Sequence, residues 1–394
     1  MDDSLYTTVI PEAVRRVRSD VAYVINSPSG GDLPFQSDTG VAHYYGVGAY
    51  LRPFDDARRA GVRFASECLA IANVPCSRTV EELRVSTTTD PRWKQAVPRD
   101  PGAGWDFEDV RDHYLAMLFR VDPLHLRYAD FARYLELSSA VSCVLIEEVF
   151  AEWRRVGSGC HGGLIWQWQD IVPGAGWGIM DSLGRRKPAW YALQRASRSR
   201  QIVLTDEGLN GLAVHVVNET DQPLDAVLRL ACFRHGSTPV REAEHPVVLA
   251  PRAALRLASS ALLPGFFDIT YAYRFGPRPH LVTIATLHDR ASGSLIADSC
   301  HFPDTAALQP HDLGLEAAVE RDETGWWLRV QARHVAQFLH VEDEAFVPAE
   351  NWLHLQPCRE RRIALRPGAD QTAAPRGEVR AVNMDRVVHY AGSA

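Results

Sequence analysis

The chain has 394 residues, 46% of them hydrophobic, enough for two or three units with their own cores at roughly 100 to 200 residues each, so disorder is not expected. The net charge is −7 and Lys and Arg are scattered, which argues against a nucleic-acid backbone or an anionic membrane as partner and for a neutral ligand. No apolar run approaches the roughly 18 residues of a membrane helix, and Met1-Asp2-Asp3-Ser4 is unlike a signal peptide. The expectation is a cytoplasmic protein, with a periplasmic or secreted one as the alternative.

In chain order, Leu5 to Arg18 reads as a helix interrupted early by Pro11, and Val21 to Ile25 as a strand closed by Asn26-Ser27-Pro28-Ser29-Gly30-Gly31. A second short run, Val41-Ala42-His43-Tyr44-Tyr45, stops at Gly46. A third, Val62 to Ala65, stops at Ser66-Glu67. Helical patterns follow at about Phe107 to Phe119 and Tyr128 to Trp153, the latter with apolar residues at Tyr128, Phe131, Leu135, Leu145, Val149 and Trp153. A fourth strand, Leu164 to Trp168, is followed by Gln169-Asp170. Short apolar strands alternating with helices argue for parallel α/β structure, with polar and aromatic residues at the strand ends where a β/α barrel gathers its site. A closed barrel needs eight strands and four are visible, so a partial (β/α)8 TIM barrel, the C-terminal half, is the expectation for residues 1–198.

From Ser197–Gln201 onward the pattern changes to strand after strand. Leu212 to Val217, Leu228 to Cys232, Phe267 to Tyr273, Leu281 to Leu287 and Trp326 to Ala332 are apolar or alternate with period two, and turn signals such as Pro264-Gly265 fall between them. Two Ig-like β-sandwiches, 199–305 and 306–394, divided near Pro303 to Pro310, account for this.

Glu67 is the focus of the chemistry. Position alone makes it an ordinary carboxylate at a strand end, but His43, Tyr44 and Tyr45 end one neighbouring strand, Trp166 and Trp168 end another, and Asp170 follows. Aromatic faces with polar tips beside a carboxylate suit a sugar, whose C–H faces stack and whose hydroxyls need partners.

Arg63-Phe64-Ala65-Ser66-Glu67 resembles the R-F-x-S-E element of family 2 β-mannosidases, in which the Glu ends barrel strand seven and is the nucleophile. Tyr23-Val24-Ile25-Asn26-Ser27-Pro28-Ser29 resembles their fifth strand, His43-Tyr44-Tyr45-Gly46-Val47 their sixth, and Gly163 to Asp170 their eighth. Pro173 to Asp181 and Gly184 to Tyr191 are similar to their exit from the barrel, and Asp343 to Pro357 to their last sandwich. Five such motifs fall in register along nearly the whole chain.

The resemblance implies a retaining glycoside hydrolase acting on a β-linked mannoside or related oligosaccharide, without metal or cofactor. Two carboxylates about 5 to 5.5 Å apart flank the bond in such enzymes, one attacking the anomeric carbon and the other serving as acid/base. Glu67 would attack, with Arg63 keeping it ionised and Ser66 supporting it. Trp166 would floor the sugar subsite, Tyr44 or Tyr45 would hydrogen-bond near the nucleophile, and His43, Trp168 and Asp170 would complete the surroundings. The family's acid/base is a Glu preceded by Asn on barrel strand four, which this reading places ahead of Met1. The expectation is therefore a fragment, weak or inactive alone, with a missing N-terminal half as its partner. The alternative is a non-catalytic carbohydrate-binding or scaffolding remnant.

Other signals carry less. Asn218-Glu219 falls in a sandwich turn, Cys160-His161 lacks further ligands at metal spacing, and Gly174-Ala175-Gly176 lacks the Lys of a phosphate loop. The seven cysteines include no C-x-x-C pair and read as reduced thiols, with Cys68 as buried filler.

Overall fold

A computed structural model describes residues 3–33, 36–304, 309–368 and 374–392. The expected first helix forms as a π-helical turn, Leu5–Val9, running into α1 (Ile10–Val17), with Pro11 in the first turn, where its missing N–H is no loss. The expected strand over Val21 to Ile25 does not form. Val21, Val24 and Ile25 are 41%, 51% and 49% exposed, and none takes part in a β-bridge. An apolar run becomes a strand only with a neighbour to share its amides, and among the described residues none is bridged to it.

The second expected run forms β1 (Ala42–Tyr44), whereas the third is displaced: β2 (Ala65–Cys68) meets the expected Val62 to Ala65 only at Ala65 and carries Ser66 and Glu67 within it. β1 runs parallel to β2, with α2 (Asp56–Arg59) in the connection. On the other side of β2, single parallel bridges Ala65↔Gly163 and Leu69↔Trp166 attach residues 163–166, so the expected fourth strand is present only as bridges. The parallel element therefore comprises three neighbouring segments instead of the four-stranded half-barrel expected.

After β2 come the short helices α3 (Ser77–Leu83) and α4 (Pro91–Lys94), then α5 (Phe107–Phe119), α6 (Pro123–Ala129), α7 (Phe131–Arg154) and α8 (Pro188–Ala196). α5 matches its expected limits because Asp106 and Asp109 build a capping box at its start. The second helical pattern is broken at Asp130, whose carboxylate caps α7 by accepting from the Arg133 amide at 2.9 Å; Tyr128 falls outside α7 and is 71% exposed. Leu137, Val141, Leu145 and Val149 of α7 lie in one core with Ala65 and Cys68 of β2 and Tyr114 and Leu118 of α5. A buried guanidinium, Arg111, reaches from α5 to the Ala72 carbonyl at 2.8 Å and so fixes the chain just past β2.

The remaining strands are antiparallel. The first set is β3 (Arg200–Asp206), β4 (Leu212–Asn218), β5 (Leu224–Arg234), β6 (Thr238–Leu249) and β7 (Ala253–Ala258), then the short α9 (Ser259–Leu262), β8 (Val282–Asp289) and β9 (Leu295–His301). These make sheets ordered β3-β4-β7 and β6-β5-β8-β9, whose apolar residues share one core. β10 (Glu316–Asp322), β11 (Gly325–Gln331), β12 (Ala336–Asp343), β13 (Phe346–Pro348), β14 (Leu353–Leu355), β15 (Arg361–Pro367), β16 (Arg376–Arg380) and β17 (Val388–Ala391) form β10-β11-β15-β13 and β14-β12-β16-β17 around another. α8 ends at Ala196 and β3 begins at Arg200. The other expected division, near Pro303 to Pro310, includes residues 305–308, which lie outside the described residues.

The strand expected over Phe267 to Tyr273 is instead a turn. The Asp268 carboxylate accepts from the amides of Tyr273 (3.1 Å) and Arg274 (3.0 Å), and Tyr271 sits at φ +59°. A short acidic side chain that captures nearby amides reverses the chain and overrides the alternation around it. The last pair of sheets docks on the helices through Arg195 of α8, which donates to the Trp352 carbonyl at 2.7 Å, and through Phe338 and Val382, which join the helix core.

Candidate active site

The β1–β2 register sorts the candidate residues. Successive side chains on a strand point to opposite faces, and His43 pairs with Glu67 while Tyr44 pairs with Cys68. Tyr44 and Cys68 consequently face the helices. Tyr44 is 3% exposed, edge-on to Trp153, and donates to Asp56 at 2.9 Å. Cys68 is fully buried, its thiol pushed up by burial, and it donates to the Leu164 carbonyl at 3.3 Å. His43 and Glu67 share the other face.

Glu67 is held there by donors. Tyr45, just past the end of β1, donates its hydroxyl to Glu67 Oε2, and His43 Nδ1 lies 3.4 Å from the same oxygen. Burial, and then the adjacent carboxylate, push the Tyr45 phenol well above its ordinary pKa, so it remains a donor at neutral pH. The Glu67 side chain is 26% exposed, which leaves the carboxylate open to a ligand. Ser66 Oγ lies 3.3 Å from the Ala42 carbonyl and contacts Ser27 Oγ, which is also 2.9 Å from His43 Nε2. Ser27 was not among the expected site residues; its only signal was a place in the polar loop that closes the first apolar run.

Trp166 reaches the neighbourhood by its backbone, its amide donating to the Cys68 carbonyl at 3.1 Å, and its ring meets Trp177 edge-on at 5.9 Å. Trp177, which also packs on Phe107 at 4.9 Å, is a second residue that sequence reasoning missed. Trp168 is 60% exposed.

Two expected roles are not what the contacts give. Arg63 is exposed and directs Nε to the Asp38 carbonyl at 3.2 Å; no ion pair joins it to Glu67, because it precedes β2 and lies at the opposite end of that strand. Asp170 is buried against the fully buried Lys187 and accepts from the Gly178 amide at 2.7 Å. It pins the loop that carries Trp177 instead of facing Glu67. Burial pushes Asp170 up and Lys187 down, opposing their mutual attraction. A wide cleft of about 2160 Å³, with Arg78, Tyr191, Glu342 and Arg376 in its walls, lies between the helices and the last sheets and does not include Glu67.

No family model matches the chain. Among curated proteins it is similar to β-mannosidase B of Aspergillus terreus, 28% identical over 200 residues (48% of this chain, 22% of that protein). β-Mannosidase B of Aspergillus clavatus is 22% identical over 389 residues (92% of this chain, 43% of that protein). Among solved structures, the β-D-mannosidase of Dictyoglomus thermophilum aligns with TM-score 0.79 at 18% identity, covering 98% of this chain and 46% of that one. The exo-chitosanase of Amycolatopsis orientalis, in complex with an aryl β-D-glucosamine, aligns with TM-score 0.60 at 13% identity over 83% of this chain and 42% of that one. The chain thus spans less than half the length of these relatives. In sequence the chain is similar to β-mannosidases, and in fold to a solved β-D-mannosidase.

Proposed function

We propose that this chain carries the nucleophile side of a retaining β-mannosidase site, with Glu67 as the group that bonds to the sugar. One observation carries the reading: Glu67 stands on a parallel strand, partly exposed, and accepts from the Tyr45 hydroxyl with a His43 ring nitrogen 3.4 Å from the same oxygen. Donors without a fixed cation orient a carboxylate while leaving it reactive. Trp166, braced by Trp177, supplies an apolar face for the sugar ring, and Trp168 an exposed one beyond it. The parallel segments would belong to a β/α barrel, and the two sheet pairs would be Ig-like sandwiches.

The reaction also needs a proton donor for the leaving oxygen. Asn218-Glu219 does not supply it, since Glu219 follows β4 and pairs with Arg154 at 3.0 Å. In this reading the acid/base comes from outside the described residues, and the chain alone turns over ordinary glycosides poorly, because a missing proton donor removes roughly two to four orders of magnitude.

A substrate whose leaving group needs no proton isolates the step assigned to Glu67. A dinitrophenyl β-mannoside with fluorine replacing the hydroxyl next to the anomeric carbon should ester-link to the chain, release one dinitrophenolate, and leave its mass on the peptide containing Glu67. The matching gluco and galacto reagents should label more slowly. Absence of label, label on another residue, or label that survives Glu67→Gln defeats the assignment.

A further inference from the structure

Three side chains from separate segments form a line that ends on Glu67. Strand register sets His43 beside it, with Nδ1 3.4 Å from Oε2. The opposite ring nitrogen, Nε2, lies 2.9 Å from Ser27 Oγ, and Ser27 Oγ touches Ser66 Oγ. Tyr45 reaches the same Oε2 from the other direction. Among the described residues, these contacts to Glu67 fall on Oε2 and leave Oε1 open.

One end of the line is fixed by a carbonyl, which can only accept: Ser66 donates its single hydroxyl proton to the Ala42 carbonyl at 3.3 Å. Ser66 Oγ is then an acceptor for Ser27, whose Oγ stands between it and His43 Nε2. At the other end, His43 Nδ1 faces the carboxylate.

We propose that Ser66, Ser27 and His43 are a positioning relay that holds Glu67 by Oε2 and presents Oε1 as the oxygen that bonds to the anomeric carbon. This rests on the nucleophile reading above. As Oε1 forms that bond, the bond from the anomeric carbon to the leaving oxygen breaks and its electron pair departs with that oxygen. Oε2 becomes the carbonyl oxygen of the ester and loses charge. Donors on Oε2 therefore favour the carboxylate over the ester, and what the relay contributes to attack is orientation, not driving force. His43 is in this sense a positioning residue, acting through Glu67.

The test is the rate of Glu67 labelling by the fluorinated dinitrophenyl β-mannoside, in the full chain and in variants whose circular dichroism and melting match it. His43→Ala should slow labelling about tenfold and Ser27→Ala about fivefold, the loss expected when the nucleophile is held less well in line. His43→Asn, whose side-chain amide can donate to Oε2 but has no counterpart of Nε2 beside Ser27, should recover most of the rate. Ser27→Ala should then have no further effect in the His43→Asn background. Unchanged rates, or a Ser27→Ala effect of equal size in both backgrounds, overturns the relay while leaving Glu67 as nucleophile. If the unaltered chain takes no label, the nucleophile reading falls and the relay falls with it. Should His43→Ala fail to fold, the His43→Asn and Ser27→Ala pair decides the matter.

Discussion

Two acids close neighbouring parallel segments of this protein, and they have opposite surroundings. The Glu67 side chain is 26% exposed with a phenol and an imidazole as partners, whereas that of Asp170 is 4% exposed against a lysine. Both follow an apolar run, and both look like site residues in the sequence. A buried cation takes an acid out of chemistry and makes it a fastener, because the pair is stable only while both members stay. Neutral donors at an open face do the reverse: they orient the acid without consuming it. The partner, more than the strand-end position, decides what a carboxylate is for.

The largest effect that sharpens this contrast is Glu67→Gln, which should abolish covalent labelling while leaving the urea unfolding midpoint within experimental error. Asp170→Asn should show the opposite profile. It strands the Lys187 ammonium in the core and should cost about 3–5 kcal/mol in urea unfolding, with much of the loss recovered when Lys187→Met is added. Equal stability of the single variant would break the distinction.

A third buried group separates burial from pairing. His215 is 1% exposed and accepts the Val156 amide on Nδ1 at 3.2 Å, and burial depresses its pKa to about 4. Because the folded value lies below the unfolded 6.5, the unfolded state binds the proton first as pH falls. The stability His215 contributes is therefore whole above pH 6.5 and is lost between 6.5 and about 4, a loss of about 2 kcal/mol by the lower part of that window. Urea midpoints measured down that range should fall, and His215→Gln should flatten the slope; an unchanged slope would show that this ring does not titrate with unfolding.

A smaller effect than that of Glu67→Gln belongs to Tyr45→Phe. It should slow labelling of Glu67 about tenfold, because the carboxylate is then less well oriented, with little change in melting. Tyr44→Phe should instead lower melting and leave labelling unchanged, since its hydroxyl serves Asp56.

Local signals made much of the fold legible in the sequence. The helical pattern over Phe107 to Phe119 marked α5, the run Val41 to Tyr45 marked β1, and the shift to short alternating runs after Ser197 marked the antiparallel sheets. The failures share a physical cause. Val21 to Ile25 needed a neighbouring strand, Asp130 and Asp268 redirected the chain with side chains that pattern reading counts only as polar, and none of these is visible to hydrophobic period alone.

By itself the sequence determined which carboxylate stands at the strand end with aromatic and imidazole groups nearby, because that rests on residue order within a few positions. Tertiary structure alone decided which tyrosine serves it, that Asp170 belongs to Lys187, and that Ser27 stands behind His43. Those outcomes depend on the register between β1 and β2 and on contacts between segments far apart in the chain, where a shift of one residue turns every side chain to the opposite face.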